Sequence, residues 1–476
     1  MKSNLKDFIN NDREYPVLAG ILIGFYTITF YYSNNLELFS WQQFAFFAGY
    51  YAVFPALVTW GIFRFLKAGS LNKYARQGIF VTAVSFFAFF MLQNLNLSHS
   101  YLKIFALVFI GIVLLSFKVT NYKIGMVLVL VMTLFPLFHL MKIMSENASN
   151  STGWNTQPDA IASCKFTKTP NVYFLQIDGY ANAAALKGKL YRDDNSEFDL
   201  WIKSQGFTVY DHFRSNYPST LKSNASCFNM KHHYSKENSL SKTARDYIIG
   251  ENPVLNVFKN NGYRTFFISE RPYLIMNRPE MAYDFSNFSL AELPFLKDGW
   301  SDFKAIAPEL KSQIHKNKTS KNFFFVQKLS PSHISTSPDG SLGIPGERAA
   351  YLKRLHETNF WIKDVVSFIN ANDQNAIVIL GADHGGFVGF ANTHQSIAKI
   401  TDPALLQSIF GAGMAIKWNN ISVVSYEKHL KSSVNLFRVL FAFMSDDPQY
   451  LDHLQPDISY NQYDLEDYSK IYKAIE

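Results

Sequence analysis

Apolar residues fill long unbroken runs in the first 145 positions, whereas the rest of the chain alternates short apolar runs with mixed polar segments. Five runs stand out: Pro16–Asn35, Leu38–Phe63, Ile79–Leu95, Ile104–Phe117 and Ile124–Met141. A bilayer crossing needs about 20 mostly apolar residues, fewer where flanking Lys or Arg side chains snorkel. Were these runs buried core helices instead, almost nothing in the first 145 residues would remain to cover them. The pattern predicts five transmembrane helices.

The later part has a different period. Asn171–Ile177, Arg264–Ile268, Asn322–Val326, Asn375–Leu380 and Gly413–Lys417 are short, apolar and rich in β-branched and aromatic residues, while Ala349–Asn370 repeats its apolar positions at helical spacing. Short continuous strands alternating with helices predict an α/β domain with a largely parallel sheet covered on both faces. Between the two parts, Ser145–Asn155 is rich in Ser and Asn and reads as a linker. The expected organisation is a membrane domain over 1–145, a linker over 146–168 and a globular domain over 169–476.

Charge orients this arrangement. Lys2, Lys6 and Arg13 precede the first run; Arg64, Lys67, Lys73 and Arg76 fill the second loop; Lys118 and Lys123 lie in the fourth. The first loop has no Lys or Arg and the third only Lys103. Cationic loops stay in the cytoplasm, so the N-terminus is expected inside and, after five crossings, the globular domain outside. The first run follows a short charged tail without a small-residue cleavage site and reads as a retained anchor. The net charge of +7 is spread thinly, with no Lys/Arg-rich block, which argues against nucleic acid as a partner. The two cysteines, Cys164 and Cys227, both fall in the external part. Compartment and count alone suggest a disulfide between them.

Two strand ends carry candidate chemistry. The first strand runs into Asp178-Gly179, and the fourth runs into Asp383-His384-Gly385-Gly386. Ligands of open α/β sheets sit at the carboxyl ends of the strands. An isolated Asp-Gly is usually a plain turn. An Asp–His pair at the end of a buried strand needs partners to offset its desolvation, and a metal ion is a natural one.

Together with Ser215-Asn-Tyr-Pro-Ser-Thr220-Leu-Lys-Ser-Asn-Ala-Ser-Cys227, these motifs resemble the alkaline phosphatase/sulfatase superfamily. More narrowly they resemble its membrane-anchored branch, which includes lipoteichoic acid synthases and phosphoethanolamine transferases. Ser433-Val-Asn-Leu-Phe-Arg438 and Pro456-Asp-Ile-Ser-Tyr460 are similar to the closing segment of bacterial membrane-embedded sulfatase-domain proteins. The resemblance covers about residues 168–465 in motif order. It implies that Asp178, Asp383 and His384 ligate a divalent metal, zinc or manganese by donor type, and that Thr220 is the nucleophile and touches the metal. His333, in Ser330-Pro-Ser-His333, and His394 match histidines that contact the substrate, a second metal or the leaving group. The chain departs from this branch in having Asp178 where many relatives have Glu, and Asn359 on a helix that often carries an Asp.

The function so implied is transfer of a phosphoryl-linked head group, of phosphoethanolamine or phosphoglycerol type, from a membrane lipid donor to a cell-surface glycan or lipid through a covalent threonine intermediate. Hydrolysis of a phosphate or sulfate ester is the alternative, and a non-catalytic membrane assembly role the third reading. A formylglycine sulfatase requires Cys or Ser followed by x-Pro-x-Arg, which neither Ser219-Thr-Leu-Lys-Ser223 nor Cys227-Phe-Asn-Met-Lys231 supplies.

Overall fold

A computed structural model of the chain describes residues 2–94, 101–119, 121–233, 242–296, 299–300, 302–418, 424–464 and 470–476. The chain divides into two compact units, Met1–Ser149 and Asn150–Glu476.

The first unit is helical. Pro16–Leu38, Trp41–Ala68, Asn72–Asn94 and Tyr122–Ala148 are each long and apolar enough to cross a bilayer. The remaining apolar run forms the helix Tyr101–Ser116, which has 16 residues. At 1.5 Å per residue it spans about 24 Å, short of the roughly 30 Å hydrocarbon core. Among the described residues, four spans therefore stand on length and composition. Close packing relies on small residues: a Cβ on Gly20 would lie 2.4 Å from Ala56 Cα, and one on Gly24 2.4 Å from Ala52 Cα. The three Lys/Arg-bearing segments meet within this unit. Arg76 donates to Asp12 at 3.2 Å and to Glu14, and Lys123 Nζ donates to the Asn11 carbonyl at 2.6 Å.

The last of these helices runs into the Ser/Asn-rich stretch read as linker. Ser145 through Ala148 remain helical, and Lys142 and Glu146 face each other one turn apart at 3.9 Å. The residues after it are anchored as well: Trp154 packs on His233 and Tyr247, and Asp159 pairs with the buried Arg438 at 2.7 Å.

The second unit is built on a seven-stranded sheet. Its strands are β1 (Val172–Ile177), β2 (Thr208–Val209), β3 (Tyr263–Ser269), β4 (Phe285–Ser286), β5 (Lys321–Lys328), β6 (Ile377–Gly381) and β7 (Met414–Lys417), in the order β2-β7-β6-β1-β5-β3-β4. β1 pairs in parallel with β5 and β6, and β3 in parallel with β5 and β4, while β7 runs antiparallel to β6 and to β2. The five runs expected as strands are the five longest strands of this sheet. Two aromatic ladders cross its centre, one on each face. Tyr173, Phe324 and Phe266 stack at 4.9 and 4.4 Å, and Phe174, Phe325 and Phe267 at 5.5 and 5.5 Å. Successive strand residues face opposite sides, so one register aligns both ladders. The 30-residue helix Gly343–Asn372 extends beyond the predicted Ala349–Asn370 at both ends. A small antiparallel pair, β8 (Ser459–Gln462) with β9 (Ile471–Ile475), closes the chain.

The expected disulfide is absent. Cys164 and Cys227 are both free and buried. Cys164 sits among Ser445 and Tyr450 at the end of a single 3-10 turn, whereas Cys227 lies inside the helix Thr220–Asn229 near Tyr283. Each is packed as a small apolar side chain, and burial raises both thiol pKa values above the ordinary range.

Candidate metal centre

β1 ends at Ile177 and delivers Asp178 to the carboxyl edge of the sheet, next to β6, whose extension carries Asp383 and His384. The turn at Gly179 has φ +67°, and a Cβ there would lie 2.4 Å from the Ser332 carbonyl oxygen, so only glycine fits. The Gly385-Gly386 pair is needed because neighbouring atoms leave no room for a side chain. Neither glycine has positive φ; a Cβ on Gly385 would meet the Ser408 carbonyl at 2.2 Å and one on Gly386 the Tyr351 ring at 2.3 Å.

Asp178, Asp383 and His384 converge although more than 200 residues separate the first from the other two. His384 Nε2 lies 3.3 Å from Asp178 Oδ1 and 3.6 Å from Asp383 Oδ2, and Thr220 Oγ1 lies 3.4 Å from the same nitrogen. All three ligand candidates are at most 5% exposed. Asp178 Oδ1 and Asp383 Oδ2 are buried and accept no hydrogen bond. Two buried carboxylate oxygens without donors, both close to the imidazole nitrogen that also faces the Thr220 hydroxyl, are what a divalent cation would satisfy. The donor set therefore fits a divalent metal. His384 Nδ1 lies 2.9 Å from the Gly385 carbonyl. With the proton on Nδ1, Nε2 is left as the ligating atom, a tautomer fixed by its backbone partner.

The electrostatics follow. Burial, reinforced by Asp383, pushes the Asp178 carboxyl up to about 7. Burial alone would lower His384, but the Asp383 and Asp178 carboxylates outweigh it and raise it. A proton or a metal ion at this point relieves the same repulsion.

Thr220 is the first residue of the ten-residue helix Thr220–Asn229, with Ser219 extended before it, rather than part of a loop. The Asn- and Ser-rich sequence is accommodated as a helix because its two buried asparagines have partners. Asn224 and Gln176 exchange amide hydrogen bonds, and Asn229 donates to the Ala225 and Tyr247 carbonyls at 2.7 and 3.0 Å. The preceding segment is held by Asn216, which accepts from the Val434 N–H at 2.8 Å and donates to the Ile458 carbonyl at 2.9 Å. Those contacts account for the two C-terminal motifs: they pin the approach to Thr220.

His333 follows β5. Its ring centroid lies 5.8 Å from that of His384, and Nδ1 sits 2.6 Å from the Ile334 carbonyl. Burial, with His384 adding to it, lowers its pKa to about 4. His394 is exposed on the 3-10 turn Thr393–Ser396, and its ring bonds to none of the cluster residues. Asn359, the departure from the branch pattern, is buried in a closed network with Tyr180 at 2.7 Å and Asn195 at 2.8 Å. Of the other histidines near Thr220, His233 is structural, stacked 4.6 Å from Tyr217. Gln176, Asn224 and Arg354 support the site without any sign in the sequence, since nothing in helical or strand spacing separates them from other partly buried polar residues.

Among known proteins, the family model described as Sulfatase matches residues 170–444. No curated protein matches the sequence significantly. The C-terminal periplasmic domain of EcEptC from Escherichia coli, in complex with Zn, is 10% identical over 65% of this chain and 93% of its own, with a TM-score of 0.44. The integral membrane protein lipooligosaccharide phosphoethanolamine transferase A from Neisseria meningitidis is 12% identical over 89% and 95% of the two chains, with a TM-score of 0.43. The periplasmic domain of phosphoethanolamine transferase EptC from Campylobacter jejuni is 15% identical over 60% and 94%, with a TM-score of 0.39.

Proposed function

The chain belongs to the sulfatase family, enzymes of the alkaline phosphatase superfamily, and on that premise we propose that it transfers a phosphoryl-linked head group from a membrane lipid to a cell-surface glycan or lipid. The observation that carries this reading is an unmodified threonine hydroxyl, Thr220 Oγ1, 3.4 Å from His384 Nε2 in a cradle with two unpaired buried carboxylate oxygens. No Cys or Ser at this position has the flanking residues a formylglycine sulfatase needs. Transfer rather than release is supported by four helices able to hold the protein in the membrane that contains the donor.

Asp178, Asp383 and His384 would hold a divalent ion, with Thr220 at its edge. When bound, the ion would lower the pKa of the Thr220 hydroxyl and neutralise charge on the phosphoryl oxygens. Thr220 Oγ1 forms the new bond to phosphorus as the bond from phosphorus to the lipid oxygen breaks, and the lipid leaves as an alcohol after taking a proton. An acceptor hydroxyl then displaces Thr220, which recovers its proton. Thr220 opens the helix Thr220–Asn229, and the positive end of a helix favours phosphoryl anions. His333, neutral near pH 7 with Nδ1–H directed at the Ile334 carbonyl, presents Nε2 as an acceptor, so it suits proton acceptance or ligation better than acid catalysis. His394 is proposed to meet the leaving group or acceptor from the surface. The five-crossing topology, with the second unit outside the cytoplasm, and the 1–145, 146–168 and 169–476 division belong to the same reading.

The test supplies a lipid phosphodiester with a labelled head group, with and without surface glycans. Thr220→Ala should abolish turnover and the mass-spectrometric adduct on residue 220, while Thr220→Ser keeps part of both. Release unaffected by any acceptor would make the enzyme a hydrolase. Full turnover in Thr220→Ala would overturn the nucleophile assignment.

A further inference from the structure

The ligand turns Asp178-Gly179 and Asp383-His384-Gly385-Gly386 come from distant parts of the chain, and metal sites tolerate errors of only about 0.5 Å in ligand placement. Sheet pairing alone sets the strand ends, not the turns beyond them. One side chain touches both turns. Tyr351, on the helix Gly343–Asn372, is 0% exposed. Its hydroxyl donates to the Gly179 carbonyl at 2.9 Å and accepts from the Ala181 N–H at 3.0 Å, so it brackets the turn that follows Asp178. Its ring fills the space left by the absent side chain of Gly386, two residues after His384. Tyr191 completes the packing: its ring lies 5.4 Å from that of Tyr351, and its hydroxyl accepts from the Gly386 N–H at 3.0 Å. One helical turn further on, Arg354 donates to the Pro331 carbonyl at 2.7 Å and the His333 carbonyl at 3.0 Å, gripping the third loop of the site.

We infer that the helix Gly343–Asn372 is the registering element of the metal centre: Tyr351 positions the two ligand-bearing turns against each other, and Arg354 positions the loop carrying His333. Both are positioning residues, acting through groups they hold rather than on substrate. The inference rests on the proposed metal site. A Phe at 351 keeps the ring and its packing on Gly386 but leaves the Gly179 carbonyl and Ala181 N–H, both in the buried turn, without this partner, so the turn is held more weakly, by bonds such as that from the Gly179 N–H to Asp383 Oδ1 at 3.2 Å. Partners of ligand-bearing groups typically change metal affinity or activity by 10–100-fold.

The test titrates Co2+ into full-length protein in detergent and records the d–d absorption bands, which report ligand geometry directly. Tyr351→Phe should bind Co2+ about 10–100-fold more weakly than the parent and show altered bands. Tyr263→Phe is the control. It removes another buried tyrosine bond, to the Pro170 carbonyl at 2.7 Å, at the amino end of β3, and should leave affinity and bands unchanged. Arg354→Ala should keep Co2+ affinity but lose about tenfold in hydrolysis of a p-nitrophenyl phosphodiester, with partial recovery on adding guanidinium. That arm stands even if Tyr351→Phe fails to fold, because Arg354 is only partly buried. Tyr351→Phe with parental affinity and bands, or Arg354→Ala with parental turnover, would overturn the inference while leaving the metal site intact. A parent that binds no Co2+ would instead remove the metal reading on which it rests.

Discussion

At the scale of single residues, proton and metal compete for the same place. Asp178, pushed up to about 7, and His384, also raised, each bind a proton more tightly in the folded chain than in the unfolded one. A group whose pKa rises on folding supports stability at low pH and loses that support as pH rises through its folded value. Metal-stripped protein should therefore lose thermal stability between about pH 4 and 7. Zinc should restore more stability at pH 8 than at pH 5.5, since the ion displaces protons. Melting curves with and without chelator at the two pH values check this; an equal metal increment at both would count against the coupling. Asp383→Asn should reduce bound metal at least tenfold, read by elemental analysis of folded protein. The two thiols offer a separate check. Both are free and buried, so alkylation of the folded protein should be slow, and denaturation without reductant should expose two labels. Absence of labelling would reinstate the disulfide.

At the scale of elements, the chain's local preferences and their tertiary settings part company in one place. The strands are legible because apolar, β-branched and aromatic runs of that length have few other uses, and the parallel sheet needs both faces buried. Thr220–Asn229 is not, because Ser and Asn favour turns and caps when isolated. It becomes helical only with Asn224 tied to Gln176 of β1 and Asn229 tied across to the Tyr247 carbonyl. The C-terminal helix Leu436–Ser445 is docked through a buried ion pair. Arg438 is 1% exposed and bonds Asp159 and Gln157 at 2.7 and 2.8 Å. Arg438→Ala would leave the Asp159 carboxylate without its cation and should destabilise the second unit by roughly 3 kcal/mol. Urea unfolding followed by near-ultraviolet circular dichroism measures it, and an unchanged midpoint would refute the role.

At the scale of the whole molecule, the question is which side of the membrane receives Asn150–Glu476. The ion pairs and hydrogen bonds among Arg76, Asp12, Glu14, Lys123 and Asn11 gather the three cationic segments within one part of the first unit, the arrangement expected of a cytoplasmic face. A reporter active only outside the cytoplasm should signal when fused after Glu476 and stay silent when fused within residues 67–77. The reverse pattern would invert the topology. This assay also decides the parity of crossings, which the 16-residue helix Tyr101–Ser116 leaves between four and five.

The sequence by itself determined the membrane character of the first unit, the five longest strands of the second and the two strand-end motifs. Each is written in contiguous residues whose period or composition has a direct physical consequence. Motif order extended this to three candidate ligands, Asp178, Asp383 and His384, which the structure brings together. Only the tertiary structure decided that His394 stands at the surface, that Asn359 is bound in a buried network, that the cysteines lie in separate packing environments, and that Tyr351 and Arg354 grip the site loops. Such contacts join residues far apart in the chain, and an apolar or polar residue at helical spacing carries no mark of the partner it will meet once the sheet has formed.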